Sequence, residues 1–241
     1  MNTNLKSIIK DTLGSIYYSC YKKFMPAGNR ALIYHAFGSK LKHDTYGISI
    51  DLKKFREHIG YLSQKYNFIH IGQESSLPTI SITIDDGYKD SLDAIEVLVE
   101  KNIPFNIYIS TGFINKKKYM SSEDIYDISL IDNCVIGSHG HNHVRLNNIS
   151  TQTQKSELLD SKNNLEDIIG NSINSLSYPH GSFDDNTIDI AQELGYQSAA
   201  SSIKGYNNKN TNQFMLKRSE IIASDTINDL NKKIVGYYDF Y

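Results

Sequence analysis

Short runs of β-branched and aromatic residues alternate along this chain with segments whose apolar positions recur at the helical period. A capping box at Thr151 and Gln154 and a stop at Gly170 predict one helix, and a second helix is predicted over 185–194. This alternation is typical of βαβ units in a parallel α/β protein. The predicted strands cover 31–37, 68–71, 79–85, 105–110, 134–138, 175–178, 197–201 and 214–222.

The composition describes one ordinary globular domain. The chain has 241 residues, 39% of them hydrophobic, which is enough for one sizeable core. Its 25 basic and 27 acidic residues give a formal net charge of -2 without a long basic block, so nucleic acid is not an expected partner. Cys20 and Cys134 fit no paired zinc spacing and are predicted to be buried thiols.

The N-terminal segment leaves alternatives open. No run approaches the roughly 18 apolar residues of a membrane-spanning helix. Lys6 and Lys10 precede an uncharged run over 12–21, but this run is too polar to favour a cleaved secretion signal. It is interpreted as an amphipathic helix that packs on the domain or lies on a membrane surface. We therefore expect a cytoplasmic protein, with peripheral contact to the inner membrane left open and secretion disfavoured.

The first candidate site is the end of the strand at 79–85. Alternation sends Ile82 and Ile84 to one face and Asp85 to the other, and Gly87 allows a turn directly afterwards. Active sites of parallel α/β proteins form at this edge. The simpler alternative is a turn followed by a helix N-terminus, where Asp is also favoured.

A cluster of histidines forms the second candidate site. If the segment is helical, His139 and His143 share a face and could bind one metal ion. If it is extended, His141 points the same way as these two and completes a three-histidine site. A polar loop without metal is the remaining alternative. A third segment, the turn at Pro179–Gly181 after a strand, could direct backbone N–H groups at an oxyanion, although such turns are usually structural.

Together and in this order, the three segments resemble the polysaccharide deacetylases, also called the NodB-homology group or carbohydrate esterase family four. Residues 83–87 look like the T-F-D-D-G motif of that family, with Ile for Phe. Residues 139–143 look like its H-[ST]-x-x-H motif, with Gly140 for the hydroxyl residue. The third segment is similar to the R-x-P-Y-G motif, with Ser177 in place of Arg and His180 in place of Tyr.

The resemblance implies a fold and an activity. The fold would be a distorted (β/α) barrel of NodB-homology type with about seven strands, over 30–222 of a single domain at 1–241, preceded by a helical extension at 1–29. The activity would be metal-dependent removal of an N-acetyl group from an amino sugar in a glycan or glycan precursor. Zinc is the expected metal, with cobalt, nickel and manganese as alternatives.

The resemblance also implies residue roles. Asp86, His139 and His143 would hold the metal, and Asp85 would be the general base. These roles agree with the chemistry, because two histidines and one carboxylate leave open positions on a metal for water and for a substrate carbonyl.

The general acid is harder to assign, because no histidine follows His180 and the C-terminal histidine motif of many family members is missing. Residues 31–35 look like the N-terminal strand motif of the poly-N-acetylglucosamine deacetylase branch, in which a strand-end histidine is the acid. His35 is therefore the expected acid, and His180 is the second choice. Arg218 would supply the cation that Ser177 does not. The other histidines are predicted to be structural or surface groups: His43, His58, His70 and His141.

The sequence leaves two other functions to consider. An inactive relative that binds glycan or metal without turnover would explain the missing motif residues. A two-histidine, one-carboxylate iron oxygenase is disfavoured by the ligand order and the βαβ pattern. The expected partner is an N-acetylated sugar. Its attachment to polymer, lipid or nucleotide and the oligomeric state are left open.

Overall fold

The computed structural model describes residues 9, 12–16, 19–20 and 28–239. Most of the predicted extension at 1–29 lies outside the described residues, so the cellular location and the membrane contact stay predictions. Residues 12–16 are helical, and a Cβ on Gly14 would lie 2.4 Å from the Tyr237 ring, so this turn packs on the C-terminal segment. Among the described residues, no helix is long and apolar enough to cross a bilayer.

Eight strands form one parallel sheet in the described part of the chain. The strands are β1 (Asn29–Tyr34), β2 (Asn67–Phe68), β3 (Thr79–Ile84), β4 (Phe105–Ile109), β5 (Cys134–Ser138), β6 (Ser175–Ser177), β7 (Ser198–Ala200) and β8 (Arg218–Glu220). Seven of them follow the order β7-β6-β5-β4-β3-β1-β8, and β2 pairs with β3. Ala200 in β7 bridges Leu216, just before β8, so the sheet nearly closes on itself. The predicted distorted barrel is confirmed.

Helices connect the strands and cover the outside of the barrel. They are α1 (Leu52–Ser63), α2 (Ser91–Glu100), α3 (Ser122–Ser129), α4 (Thr151–Ile169), α5 (Asp185–Glu193) and α6 (Ile227–Ile234). Gly170 ends α4 in the left-handed conformation, as predicted. The capping box at Thr151 was wrong by one residue, because Ser150 is the N-cap and its hydroxyl accepts the N–H of Thr153.

The alternation predicted for β3 is confirmed and determines where polar groups lie. Ile80, Ile82 and Ile84 pack in the main core beneath the helices. Thr83 points to the barrel interior, where its hydroxyl accepts a hydrogen bond from Arg218 at 3.0 Å. The strand therefore brings the next inward residue, Asp85, to the interior at its carboxyl end.

Three further local predictions were wrong. The strand predicted at 68–71 covers only Asn67–Phe68. The run at 214–222 is a strand only over Arg218–Glu220, because Asn212 caps a 3₁₀ turn at Gln213–Met215 that interrupts it. Cys20 is exposed and Cys134 is partly buried, so neither is a fully buried residue. Burial nevertheless raises the pKa of the Cys134 thiol to about 12.

The stability of the barrel should fall in mild acid because of His58. This side chain is buried on α1, and its Nδ1 lies 3.3 Å from the Tyr34 hydroxyl. Burial, with help from Lys54, lowers the pKa of His58 to about 4. Because the imidazole titrates near 6.5 in an unfolded chain, the unfolded state binds more protons between these two values. The stabilising contribution of neutral His58 is therefore lost as the pH falls from 6.5 to 4.

Urea unfolding of wild type and His58→Gln at pH 7 and pH 4 measures this effect. Between pH 7 and pH 4, we expect the free energy of unfolding of wild type to fall by about 3 kcal/mol more than that of His58→Gln. This amount follows from a His58 pKa of 6.5 in the unfolded chain and about 4 in the folded protein. Equal losses in the two proteins would contradict the assignment.

Candidate active site

The carboxyl ends of the strands surround one cavity that contains the candidate chemistry. Its volume is about 490 Å³, within the usual range of small-molecule sites. Every residue predicted for the site except Arg218 lines this cavity, and Arg218 is bonded to Asp85 in its wall. The predicted residues on the wall are His35, Asp85, Asp86, His139, His143 and His180.

Asp86 enters the cavity through an unusual turn. Its φ is 77° and that of Gly87 is 79°, so two consecutive left-handed residues follow β3. A non-glycine residue in this region is uncommon, and such residues concentrate at functional sites. The Oδ1 atom of Asp86 is buried and has no hydrogen-bond partner among the described residues.

His139 and His143 converge on this carboxylate. Their Nε2 atoms lie 3.3 and 3.1 Å from Asp86 Oδ1, and their ring centroids are 5.0 Å apart. The segment is neither helical nor extended, so both predicted conformations were wrong. Left-handed Gly140 and His143, with φ of 69° and 54°, fold the loop and bring the two rings together.

The orientation of His139 leaves a lone pair facing Asp86. Its Nδ1 lies 2.8 Å from the carbonyl oxygen of Ser177, which can only accept, so Nδ1 donates the proton. In the neutral imidazole Nε2 is then an acceptor that faces another acceptor, Asp86 Oδ1. This contact is repulsive unless the ring is protonated or a cation lies between the two atoms. Burial disfavours the protonated ring, but Asp85 and Asp86 raise the pKa of His139 above its usual value.

A divalent metal satisfies this cluster. One ligand atom from each of Asp86, His139 and His143 lies within 4.8 Å of the others. Nitrogen and carboxylate oxygen are donors that zinc and its neighbours accept. A hydrogen-bonded Nδ1, as in His139, is the usual way in which a protein orients an imidazole ligand. The residues therefore fit a metal ion.

Asp85 lies beside the cluster in a different environment. Arg218 binds its two carboxylate oxygens at 2.7 and 2.8 Å, and the Ser177 hydroxyl donates to it at 3.1 Å. Burial alone would raise the pKa of Asp85, but the Arg218 guanidinium, with His139 nearby, lowers it below its usual value. Asp85 is thus held ionised.

Arg218 is itself fixed by the barrel. The side chain is buried, and its Nε donates to the carbonyl oxygen of Ser201 at 2.9 Å. Its guanidinium carbon lies 5.5 Å from the centroid of the Tyr108 ring. The structure therefore places a cation from β8 against Asp85. The same guanidinium donates to the hydroxyl of Ser177, the residue at the motif arginine position, at 2.7 Å.

Comparisons with known proteins identify the family of the chain. A family model for the polysaccharide deacetylases matches residues 72–199, more than half of the chain. The chain belongs to this family. YxkH of Bacillus subtilis (strain 168), a protein named for the same family, is 26% identical over 207 residues, which cover 81% of this chain and 72% of YxkH.

Solved structures of similar proteins share the fold of this polysaccharide deacetylase family member. BC0361, a polysaccharide deacetylase from Bacillus cereus, superposes with a TM-score of 0.76 at 22% identity, over 87% of this chain and 69% of that chain. IcaB from Ammonifex degensii superposes with a TM-score of 0.76 at 18% identity, over 89% of this chain and 98% of IcaB.

The two candidate acids of this family member lie in different surroundings. His35 follows β1, and its Nε2 lies 3.9 Å from Glu220 Oε1, while its Nδ1 is buried without a partner among the described residues. His180 has a φ of 57°, and its Nε2 lies 3.3 Å from the carbonyl oxygen of His143. The Nε2–H of His180 is thus used in a structural hydrogen bond.

Sequence reasoning missed several residues of the cavity. His43 was interpreted as a structural or surface group, but it lines the cavity and its Nε2 lies 3.0 Å from the Tyr88 hydroxyl. Tyr46 is exposed at the cavity and donates to Glu220 at 3.3 Å. Tyr88 does not line the cavity itself, but its contact with His43 had a usable signal, because Tyr88 directly follows the Asp-Asp-Gly motif. The loop with His43 and Tyr46 has no periodic pattern.

His141 points away from the metal cluster. Its Nδ1 lies 2.9 Å from the Thr111 hydroxyl, and its backbone N–H donates to Glu157 at 3.1 Å. Glu157, buried on α4, also accepts the backbone and side-chain N–H groups of Asn142 at 2.7 and 2.6 Å. This carboxylate therefore holds the loop between the two converging histidines.

Proposed function

We propose that this protein is a metal-dependent hydrolase that removes an N-acetyl group from an amino sugar in a glycan or glycan precursor. One observation carries the proposal. A cluster of three metal-ligand atoms, from Asp86, His139 and His143, lies beside an ionised carboxylate, Asp85, in a single cavity. Membership of the polysaccharide deacetylase family supports an acetylated carbohydrate as the substrate.

Asp86, His139 and His143 would hold the metal, with zinc expected and cobalt, nickel or manganese as alternatives. A bound divalent ion supplies acidification of water and polarisation of the amide carbonyl. Asp85, held in place by Arg218, accepts the proton of the attacking water. The backbone N–H of His180 would stabilise the developing oxyanion, since Pro179 has no N–H and the N–H of Gly181 donates to the carbonyl oxygen of Tyr178.

The departing amine needs a proton, and His35 is the proposed donor. It lines the same cavity as Asp85, and its carbonyl oxygen accepts a hydrogen bond from the Ser91 hydroxyl at 3.2 Å, which holds the end of β1 in place. An inactive relative was suggested by the missing motif arginine and C-terminal histidine. Arg218 and His35 occupy positions from which they can supply both groups, and this favours an active enzyme.

We expect His35→Ala to lower kcat by about 10²- to 10⁴-fold, because general acids contribute an acceleration of this order. Metal content should stay unchanged, since His35 is outside the ligand cluster. Steady-state kinetics with metal analysis measures both, and His180→Ala is the matched histidine variant. If His180→Ala loses this activity and His35→Ala does not, the assignment of the acid is wrong.

Glu157→Gln tests how the metal-binding loop is held. The Glu157 carboxylate accepts three N–H groups through its two oxygens, whereas the amide of Gln has only one oxygen. The NH₂ group of Gln would therefore face an N–H donor of His141 or Asn142. We expect zinc affinity to fall by about 10- to 100-fold, the usual cost of removing a group that orients ligands. Calorimetric titration measures it.

Glu166→Gln on the same helix is the control, because Glu166 pairs with Lys162 and the N–H of Ile173, away from the loop. Equal zinc affinities for Glu157→Gln and Glu166→Gln would show that Glu157 does not position the ligands.

The function is tested by a screen of zinc-loaded protein against a panel of N-acetylated sugars, scored by released acetate and free amine. The panel contains oligomers, nucleotide-linked sugars and lipid-linked sugars. We expect acetate release from at least one class and loss of release after chelation. Binding without acetate release from any class would favour the inactive relative.

A further inference from the structure

A cationic side chain lies at one wall of the cavity, close to the third motif. His180 Nε2 is 3.3 Å from the carbonyl oxygen of His143, so the turn that carries His180 lies against the segment that leads to Arg145. Arg145 lines the cavity and is exposed. None of the described residues offers its guanidinium a hydrogen-bonded carboxylate.

A second cation reaches the cavity from the loop after β7. A Cβ on Gly181 would lie 2.7 Å from the Ser202 hydroxyl, so this loop packs on the same turn. Lys204, two residues further on, also lines the cavity. Arg145 and Lys204 therefore reach the cavity from two segments that both pack on the turn of the third motif.

The carboxylates that line the cavity are engaged elsewhere. Asp85 is neutralised by Arg218. Asp44 accepts four backbone N–H groups of its own loop. Glu220 accepts the Tyr46 hydroxyl. Asp86 faces the two histidines of the metal cluster. None of these groups is bonded to Arg145, so the positive charge of Arg145 is available to a ligand.

A guanidinium suits phosphate or carboxylate, because its N–H groups match two oxygens of such an anion at once. A neutral acetamido sugar offers only uncharged oxygen acceptors, whose hydrogen bonds to a guanidinium are weaker than those of an anion. A charged cavity wall also raises the local concentration of a ligand of opposite charge.

We propose that the preferred substrate is an acetamido sugar that carries an anionic group, phosphate or carboxylate, which binds Arg145 with Lys204 as a second cation. This inference rests on the proposed deacetylase function and names the substrate class. The anion lies along the wall formed by Arg145 and Lys204 while the acetamide reaches the metal cluster.

Three sugars test the proposal in zinc-loaded protein: an N-acetylglucosamine disaccharide, N-acetylglucosamine 1-phosphate and N-acetylmuramic acid. The last two separate phosphate from carboxylate. Binding is measured by calorimetry and acetate release by steady-state kinetics, for wild type, Arg145→Gln and the control Arg56→Gln. Arg56 is a partly exposed arginine on α1 that pairs with Glu100, outside the cavity.

We expect wild type to bind at least one anionic sugar about tenfold or more tightly than the neutral disaccharide. Arg145→Gln should raise Kd and KM for the anionic sugar and change those for the neutral disaccharide less than twofold, so that the preference disappears. The control Arg56→Gln should keep the preference. The preference should also weaken at high salt, because exposed charges are screened.

Equal binding of neutral and anionic sugars, or a preference that survives Arg145→Gln, would overturn the proposal. A preference that survives Arg145→Gln would mean that the anion binds the metal or another group. If the protein releases acetate from the neutral disaccharide and binds all three sugars equally well, only the anionic subsite is contradicted, and the deacetylase function stands. Tight, Arg145-dependent binding of an anionic sugar without acetate release would support the subsite and contradict the deacetylase function.

Discussion

Asp85→Asn is expected to lower kcat by about 10²- to 10⁴-fold while the protein keeps its metal. The amide cannot accept the proton of the attacking water, and removal of a general base costs this much. Asn keeps the size of the side chain, and one oxygen can still accept from Arg218. Acetate release and metal analysis on the same preparation measure the two properties.

Asp86→Asn is the matched variant, because it makes the same change at the neighbouring residue. Asp86 contributes a ligand atom to the cluster and Asp85 does not, so only Asp86→Asn should lose metal. Loss of metal in Asp85→Asn, or nearly normal turnover, would contradict the role of Asp85 as base.

His139→Ala should abolish tight zinc binding and, with it, turnover. Two remaining donors, Asp86 and His143, do not make the three-ligand set of a catalytic zinc site. Because His139 is buried and its Nδ1 holds the carbonyl oxygen of Ser177, the variant could also unfold. His143→Ala removes a less buried ligand and keeps the test informative.

His141→Ala is the control for both variants, since it removes a histidine of the same loop that faces Thr111. Calorimetry should give weak or no zinc binding for the two ligand variants and wild-type affinity for His141→Ala. Wild-type affinity in folded His143→Ala would refute the ligand set.

The strand pattern allowed most of the barrel to be predicted. Alternation in β3 predicts Ile82 and Ile84 in the core and Asp85 in the barrel interior. The structure confirms this arrangement, and the strand is buried on both faces. Strand ends were less predictable. Just before β8, the side chain of Asn212 caps a 3₁₀ turn at Gln213–Met215 that competes with continuation of the strand. Residue propensities do not show which of the two structures forms.

The geometry of the site could be predicted only in part. Which residues meet was expected from the resemblance to the family. The left-handed turns at Asp86 and His143 are rare in non-glycine residues and leave no pattern in the sequence. The contact between Arg218 and Asp85 joins residues 133 positions apart, and it depends on the near closure of the barrel. Side-chain periodicity does not contain such long-range information.

Acetate release from one acetylated amino sugar, followed as zinc is titrated into metal-free protein, tests the proposed function most directly. Three donors from one cluster should bind a single ion, so activity should rise linearly and level off at one equivalent of zinc. Asp85→Asn should bind the same equivalent and release almost no acetate. Activity that is already full in metal-free protein, or that is absent at every zinc concentration with every sugar, would contradict a metal-dependent deacetylase.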